Sequence, residues 1–586
     1  MSLQSSTNRA LRISAFLADG MVSRHWGDEE ALREGARALR RVCVEKVYLD
    51  VSRGTHPNVE ALTRARDVFR EFGLEVGGGL TPVQGRDFGE ASSSKWWWLC
   101  YTSAATARDV ENAARVCARL FDEVLVDDLM ATDCRCARCE AAKGGLGWDV
   151  FYQRLLAEFA SKHIIEPARE ENPRVRVIIK YPQWYDGFHL YGYEVEEHPR
   201  SFDLLWVGTE TRDIEYEYVE PYQAFANYRW LVSIAGEKVR GGWFDQIECY
   251  PEVYLEQAYQ TVLAGAPEIA LFVPTPDYLA RGNAMIEALR EELPRLRELA
   301  RVLRGRTPEG VVVYKPRGSD PGDEAYLFDV LGAMGIPVAP SAELPEDAAC
   351  VVLGVHAAAD ASVVKRLKAL VERGATVLLT GGFLARCGDP EVLSLAGQGA
   401  PPERVSEWCF RFEAEGNKCR SATKVPFRWA LRPGAAKVLA RAQGEGGWFP
   451  ILTENLLPSG ARVLAMPIRG AEYGEPLALV VPEPLTFVQL ARPVVQLVRD
   501  RLLAPLGIGF SAPNRVALYP YGGGVCAVAN YTWREAKVEV EDARWGGREV
   551  REWLRGAAVA EADGKRQVVV SPRTTILLMP KGEESG

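Results

Sequence analysis

Two acids in a row close a short apolar run, Glu123-Val124-Leu125-Val126-Asp127-Asp128, and three cysteines follow closely as Cys134-Arg135-Cys136-Ala137-Arg138-Cys139. A carboxylate at the C-terminal tip of a buried strand is placed to give or take a proton, and a tight Cys-x-Cys-x-x-Cys is placed to hold a metal. Further acids and rings stand at the ends of other apolar runs. These are Asp19 with His25 and Trp26; Asp50 and Arg53; Lys180-Tyr181 and Trp184; Glu210 with Arg212 and Asp213; and Trp243-Phe244-Asp245 with Glu248 and Tyr250. The set is rich in carboxylates and aromatics and poor in His. It holds no Ser-His-Asp group, no Gly-x-Ser-x-Gly turn and no phosphate-binding loop. Paired carboxylates in an aromatic pocket are the chemistry of glycosidic-bond hydrolysis. One acid protonates the leaving oxygen; the other attacks the anomeric carbon or activates water. Asp128, Asp245 and Glu210 are the candidate catalytic acids. Trp243, Tyr181, Trp184 and Trp26 are candidate sugar-stacking faces, with Lys180, Arg212, Asp127 and Glu248 as polar contacts. Adjacent strand residues point to opposite sides, so one of the two neighbouring aspartates is expected to face inward: Asp128, with Asp127 as its structural partner. Glu248 reads also as a helix-entry residue.

Residues 12–304 must supply the frame. Apolar runs at Arg12–Ala18, Lys46–Val51, Leu74–Leu80, Glu123–Asp128, Val175–Tyr181, Asp203–Gly208, Gly241–Gln246 and Glu268–Val273 alternate with amphipathic stretches such as Glu29–Val44, Val59–Phe72 and Ala107–Phe121. Eight such strands with helices between most of them predict a (β/α)8 barrel over residues 1–304, with its chemistry at the C-terminal ends of the strands. A doubly wound open sheet is the alternative; no Gly-x-Gly-x-x-Gly follows the first run, and Gly77-Gly78-Gly79 is an isolated glycine run.

Three thiolates need a fourth ligand for a tetrahedral zinc. Cys100, behind the third run, is the nearest upstream candidate, and loops 3 and 4 are neighbours in a barrel. A structural zinc held by Cys100, Cys134, Cys136 and Cys139 is therefore expected, with no organic cofactor. Here the sequence resembles glycoside hydrolase family 42, the barrel β-galactosidases, in which a strand-4 acid is followed by Cys-x-Cys-x-x-Cys. Phe244-Asp245-Gln246 and the stretch Tyr259 to Phe272, with Leu263-Ala264-Gly265-Ala266, are similar to that family's strand 7, helix and strand 8. The resemblance implies Asp128 as acid/base, Asp245 as nucleophile, an exo-acting β-galactosidase-like activity and a trimer. The family has Glu at both positions, preceded by Asn at strand 4; here both are Asp. The shorter side chains allow a wider gap and an inverting reaction. They also leave open a retaining α-glycosidase plan, with Asp128 as nucleophile and Glu210 as acid/base, and a barrel that binds carbohydrate without cleaving it.

Beyond residue 304 the pattern changes. Strands at Gly310–Tyr314, Cys350–Leu353 and Ala375–Leu379, with helices at Asp323–Met334 and Ala359–Arg373, predict a flavodoxin-like α/β domain over 305–510. It looks like the amidotransferase-like trimerisation domain of the same family. The turn Gly354-Val355-His356-Ala357 lacks the cysteine an active amidotransferase needs, so the domain is expected to be non-catalytic, with His356 an ordinary turn residue. Residues 400–450 suggest an insertion with β structure, Arg462–Pro467 and Leu477–Val481 further strands, and Phe487–Leu503 a helix. From 511 to 586, β-rich runs separated by glycines predict a small β-sandwich and a charged tail.

The chain has 586 residues, 47% apolar and 25% charged, with net charge -9 and no long basic run. These values fit a soluble globular protein and argue against nucleic acid or an anionic membrane as the main partner; the carbohydrate partner is expected from the acids and rings above. The polar start Met1 to Arg12 has no signal-peptide core and no run is long enough to span a bilayer; a cytoplasmic location is expected. Abundant Arg, Glu and Pro fit a hot habitat. Fifteen Trp, 21 Tyr and 20 Phe include a run at Trp96 to Trp98.

Overall fold

The computed structural model describes residues 10–94, 96–213, 220–471 and 485–583. The expected strand Leu477–Val481 lies outside them. Two compact units emerge: residues 1–210 with 234–301, and residues 211–233 with 302–586.

The first unit is a closed barrel of eight parallel strands in sequential order: β1 (Arg12–Leu17), β2 (Lys46–Arg53), β3 (Glu75–Thr81), β4 (Glu123–Val126), β5 (Arg176–Tyr181), β6 (Leu204–Gly208), β7 (Val239–Phe244) and β8 (Glu268–Val273). β1 closes on β8 with six aligned residue pairs, Arg12 with Glu268 through Leu17 with Val273. The helices form for local reasons. In α1 (Glu29–Arg41) the Asp28 carboxylate accepts from the Ala31 N–H, two glutamates open the helix, two arginines close it, and Leu32, Gly35, Ala36 and Leu39 make one buried face. α2 (Val59–Glu71) repeats the plan with Asn58 as cap.

The barrel is filled, not hollow. Phe16, Tyr48, Leu125, Ile178, Trp206, Trp243 and Ala270 form one buried cluster inside it. The rings need room, which explains two glycines: a β-carbon at Gly79 would meet Phe16 at 2.3 Å, and one at Gly241 would meet Trp206 at 2.3 Å. The glycine run of β3 is thus a packing device. Since Leu125 points inward, period-two alternation sends Glu123 and Asp127 inward as well. Glu123 occupies the N-terminal end, where its carboxylate pairs with Lys46 and accepts from the Tyr48 hydroxyl. Asp127 emerges at the C-terminal end.

The second unit, taken by itself, contains a nine-stranded sheet in the order β10-β9-β11-β12-β17-β16-β15-β13-β14, built from β9 (Val311–Tyr314), β10 (Val338–Ser341), β11 (Cys350–Leu353), β12 (Thr376–Thr380), β13 (Glu403–Ala414), β14 (Asn417–Ala430), β15 (Lys437–Gly444), β16 (Gly447–Leu456) and β17 (Arg462–Met466). The first five in this order are parallel, in a flavodoxin-like 2-1-3-4-5 arrangement. The antiparallel ribbons β13–β16, inserted in the chain between the parallel neighbours β12 and β17, are the β structure expected at residues 400–450, and they extend the same sheet. The helix expected at Asp323–Met334 is shorter, Leu327–Ala333, because Glu324 is engaged elsewhere. Its buried carboxylate accepts from the Val355 and Gly382 N–H groups and the Thr380 hydroxyl. His356 is buried, with Nδ1 2.8 Å from the Ser319 hydroxyl, which makes it more than a turn residue. Two four-stranded antiparallel sheets, spanning 508–580, form the C-terminal sandwich-like region. Residues 211–233 are tied into this unit by an Arg515–Glu220 ion pair of 2.7 Å and by Tyr222, which stacks on Tyr519 at 5.2 Å.

Candidate active site

Lys180, at the end of β5, is inward by the same alternation as Ile178. Burial alone would strip its proton, yet it keeps it, because carboxylates surround it. Its Nζ donates to Asp128 Oδ2 at 2.6 Å and to Glu210 Oε1 at 2.7 Å, and lies 3.7 Å from Asp127 Oδ1. It also lies 4.2 Å from the centre of the Trp243 ring, a cation over an aromatic face. Asp128, Asp245 and Glu210 therefore do not stand as equals. Asp128 and Glu210 share one ammonium. Asp245, buried just beyond β7, accepts the Ile247 N–H on Oδ1 at 2.8 Å, so part of its carboxylate shapes a turn.

The expectation that Asp128 faces inward and Asp127 supports it is corrected in one respect. β4 ends at Val126, so alternation governs only as far as Asp127, which takes the inward position. Asp127 Oδ1 accepts the Asp128 N–H at 2.9 Å, and this turn swings Asp128 back over Lys180. Both acids thus reach the same cation. Their side chains differ in exposure: 17% for Asp128 against 4% for Asp127.

Behind Asp127 lies a second cation. Arg53 donates to Asp127 Oδ2 at 2.9 Å, to Asp50 Oδ2 at 2.9 Å and to Thr81 at 3.1 Å. The β2–β3 register sets Arg53 opposite Thr81. Sequence reading placed Asp50 and Arg53 at a strand end without a role, and Thr81 was missed; only strand pairing brings these three together.

Four carboxylates, those of Asp50, Asp127, Asp128 and Glu210, thus meet two cations, Arg53 and Lys180. Full ionisation would leave excess negative charge in a buried place, and the site answers by retaining protons. Burial, with Asp127 and Glu210 close by, pushes Asp128 up to about 7 despite Lys180. Burial and Asp127 push Asp50 to about 6 against the pull of Arg53. Asp127 is held below the usual range: burial opposes this, but Lys180, Arg53 and the Asp128 N–H outweigh it.

The other expected contacts fall in different places. Trp243 forms the floor, packed 4.8 Å from Phe16 and 5.6 Å from Phe272. Trp26 lies in the helical layer, edge-on to Phe69 and against Gly35, so it is packing rather than a sugar face. Tyr181, adjacent to Lys180, points away from the barrel axis; its hydroxyl donates to the Glu194 carbonyl and its ring packs on Phe188 and Tyr193. Trp184 is buried among the same rings. Arg212 is buried and is counted with the second unit. Glu248 is exposed, at φ 52°, in the loop before the helix Pro251–Leu263.

The cysteines do converge. The sulfurs of Cys100, Cys134, Cys136 and Cys139 lie within 4.8 Å of one another, with Cys100 3.7 Å from both Cys136 and Cys139. Four thiolates around one tetrahedral ion with bonds of ~2.3 Å would be spaced about 3.8 Å. Neighbouring donors suit thiolates: the Thr102 hydroxyl, the Ser93 N–H on Cys134, and Arg138 at 3.8 Å from Cys100. The cluster can hold a metal ion.

Residues 2–280 match the family model described as "Probable glycosyl hydrolase, catalytic domain". The barrel is accordingly a glycosyl hydrolase catalytic domain. The chain is 24% identical over 343 residues to an uncharacterized protein of Saccharolobus solfataricus; the match covers 53% of this chain and 57% of that protein, so the chain spans little more than half of that relative. A catalytic mutant of Gan42B, a GH42 β-galactosidase from G. stearothermophilus, aligns with a TM-score of 0.66 at 10% identity over 98% of each chain. The α-L-fucosidase isoenzyme 2 from Paenibacillus thiaminolyticus aligns with a TM-score of 0.65 at 11% identity, over 97% of this chain and all of that one. At such identities the two structures share a fold with this chain. Among the described residues no helix is long and apolar enough to cross a membrane.

Proposed function

We propose that this chain, with its glycosyl hydrolase catalytic domain, hydrolyses O-glycosidic bonds by double displacement, with Asp128 as general acid/base and Glu210 as nucleophile. The observation that carries the reading is the Lys180 bridge. Its two short bonds, 2.6 and 2.7 Å to one nitrogen, hold Asp128 and Glu210 close together, which favours the narrow gap of a retaining pair (~5–5.5 Å) over the wide one of an inverting pair (~6.5–9.5 Å). The roles follow from charge. Asp128, pushed up to about 7, holds a proton to give a leaving oxygen at neutral pH. Glu210, fixed by its Oε1 on the same ammonium at 2.7 Å, is then the carboxylate placed to attack the anomeric carbon. Trp243 supports Lys180 from below, as the packed floor of the site. Asp245, the nucleophile implied by the family 42 resemblance, becomes a positioning or sugar-binding group.

The test is a panel of aryl α- and β-glycosides, galactosides and fucosides included, run with Asp128→Asn, Glu210→Gln and Asp245→Asn. On the proposed reading Asp128→Asn loses roughly 10²–10⁴-fold on poor leaving groups. It keeps activity on activated aryl glycosides, and azide accelerates it. Glu210→Gln is inactive on all of them. If Asp245→Asn is the inactive variant and Glu210→Gln turns over normally, the family 42 assignment is right and this one is wrong. If wild type cleaves nothing, the hydrolase reading fails and a carbohydrate-binding barrel takes its place.

We further propose zinc as the ion of the four-cysteine site. All-thiolate ligation leaves no open position for water, so its role is structural. A homotrimer is proposed on the family resemblance, and sedimentation velocity tests it.

A further inference from the structure

We propose that Trp96 and Trp97 form a distal sugar-stacking subsite, so that the substrate is an extended glycan rather than one sugar on a small leaving group. This rests on the hydrolase reading above.

Trp97 is 64% exposed. With the half-buried Trp96 beside it, it makes an apolar surface of two adjacent rings, and contiguous rings rather than single ones mark a binding surface. It sits on the loop after β3, on the C-terminal face that carries the acids. Trp97 is not a frayed surface residue, because its loop is pinned. Its carbonyl accepts from the Gln84 N–H at 2.8 Å, and the Ser92 N–H bonds to the Trp98 carbonyl at 2.9 Å. Ser93 bonds to Cys134 and to the Arg135 N–H, and Cys100 closes the loop as one of the four clustered thiols. The cysteine cluster therefore anchors the tryptophan loop to the loop that carries Asp128.

A wall of rings makes the second link. Trp96 stacks on Trp98 at 5.9 Å; Trp98 meets Tyr191 at 4.9 Å, Tyr191 meets Trp184 at 5.2 Å, and Trp184 meets Tyr193 at 5.5 Å. The Tyr193 hydroxyl donates to the Asp128 carbonyl. The wall is buried up to Trp98 and surfaces at Trp96 and Trp97. Trp96 is thus tied through this wall to the loop of the proposed acid/base, and Trp97 stands next to it in the pinned loop.

Their setting selects the occupant. Small polar groups adjoin Trp96 in the loop: its N–H donates to the Ser94 hydroxyl at 3.2 Å, and Ser92 bonds to Ser94 at 2.7 Å and to Asp133 at 3.3 Å. An apolar ring face edged by small polar groups fits a pyranose, whose C–H face is apolar and whose rim is hydroxylated. Rings of this kind convert burial into affinity at little entropic cost.

The experiment compares wild type with Trp97→Ala, Trp97→Phe and Trp96→Ala. Substrates are the best aryl glycoside from the panel and galacto-, gluco- and fuco-oligosaccharides of two to six units. Binding of the same oligosaccharides to Asp128→Asn, with and without Trp97→Ala, is followed by calorimetry. The expected result is that Trp97→Ala changes the aryl glycoside constants less than twofold. It lowers kcat/KM for the longer oligosaccharides at least about tenfold, through KM, with Trp97→Phe close to wild type. The proposal is overturned if Trp97→Ala acts equally at every chain length or at none. It is also overturned if no oligosaccharide binds any variant, or if Trp97→Ala dissociates a wild-type oligomer in sedimentation, which would make the rings a contact between copies. Binding that depends on Trp97 without cleavage of any substrate would sink the hydrolase reading and leave the subsite standing.

Discussion

A β-carbon at Gly208 would stand 2.4 Å from Oε2 of Glu210 and 3.0 Å from the backbone of Pro182 and Gln183. The glutamate therefore folds back over the residue two before it, and its carboxylate reaches Lys180 because position 208 is empty. Gly208→Ala is expected to displace Glu210 and cut kcat at least about tenfold, at a stability cost of about 1–3 kcal/mol for overpacking. Kinetics beside urea unfolding checks this. Unchanged kcat would mean that the position of Glu210 is not critical.

Lys180→Met removes a cation shared by Asp127, Asp128 and Glu210. Both limbs of the pH–rate profile should move up, because the ammonium holds the carboxyls down. A fall in kcat of at least about a hundredfold and a stability loss of about 3–5 kcal/mol are expected. A profile that stays in place would separate Lys180 from the chemistry.

Asp128 and Asp50 both have native pKa values above their ordinary range, about 7 and about 6. The native state then binds more protons than the unfolded chain between about pH 4 and 7. Their stabilising contribution is complete below the ordinary carboxyl value and is lost as pH rises through 6 and 7. Activity should fall along an alkaline limb near pH 7 as the acid loses its proton. Asp128→Asn should flatten the stability curve over that window, as read by melting temperature against pH.

Chelation or Cys136→Ser should release one metal ion per chain, measured by elemental analysis, and lower the melting temperature. Turnover of a small aryl glycoside should survive in the fraction that remains folded, since the cluster shapes loops and does not reach the acids. Loss of all aryl glycoside turnover without unfolding would assign the metal to catalysis.

In the second unit, Glu324→Ala leaves two backbone N–H groups and the Thr380 hydroxyl without their acceptor. A loss of about 3 kcal/mol is expected by denaturant titration. Burial pushes Glu324 up to about 8, so its contribution too is lost as pH rises through that value, and Glu324→Gln should remove this dependence.

The barrel was legible because burial inside it writes apolar runs into the chain; β8, Glu268–Val273, was read to the residue. The site was legible only in part. Asp128, Glu210, Lys180 and Trp243 stand at strand ends, where sequence can point. Alternation could not place Asp128 because the strand stops at Val126, and periodicity says nothing about a turn. Trp26 and Tyr181 were misplaced because closeness to a strand end does not tell inward from outward. The Arg53–Thr81–Asp127 group depends on register between strands, which no local pattern encodes. Strands β13 and β14 were faint because much of each is exposed on both faces, which erases the alternation that reveals a half-buried strand.

Residues 211–233 leave the barrel's chain and are counted with the second unit before the chain returns at 234. The two units are therefore threaded rather than strung. A gene cut after residue 303 would give a barrel carrying a segment whose proper companions, Tyr519 and Arg515, have been deleted, with Tyr222 and a buried glutamate turned out into water. Such a pair is inherited whole: recombination that trades one unit for another must keep faith with three crossings of the chain, not one.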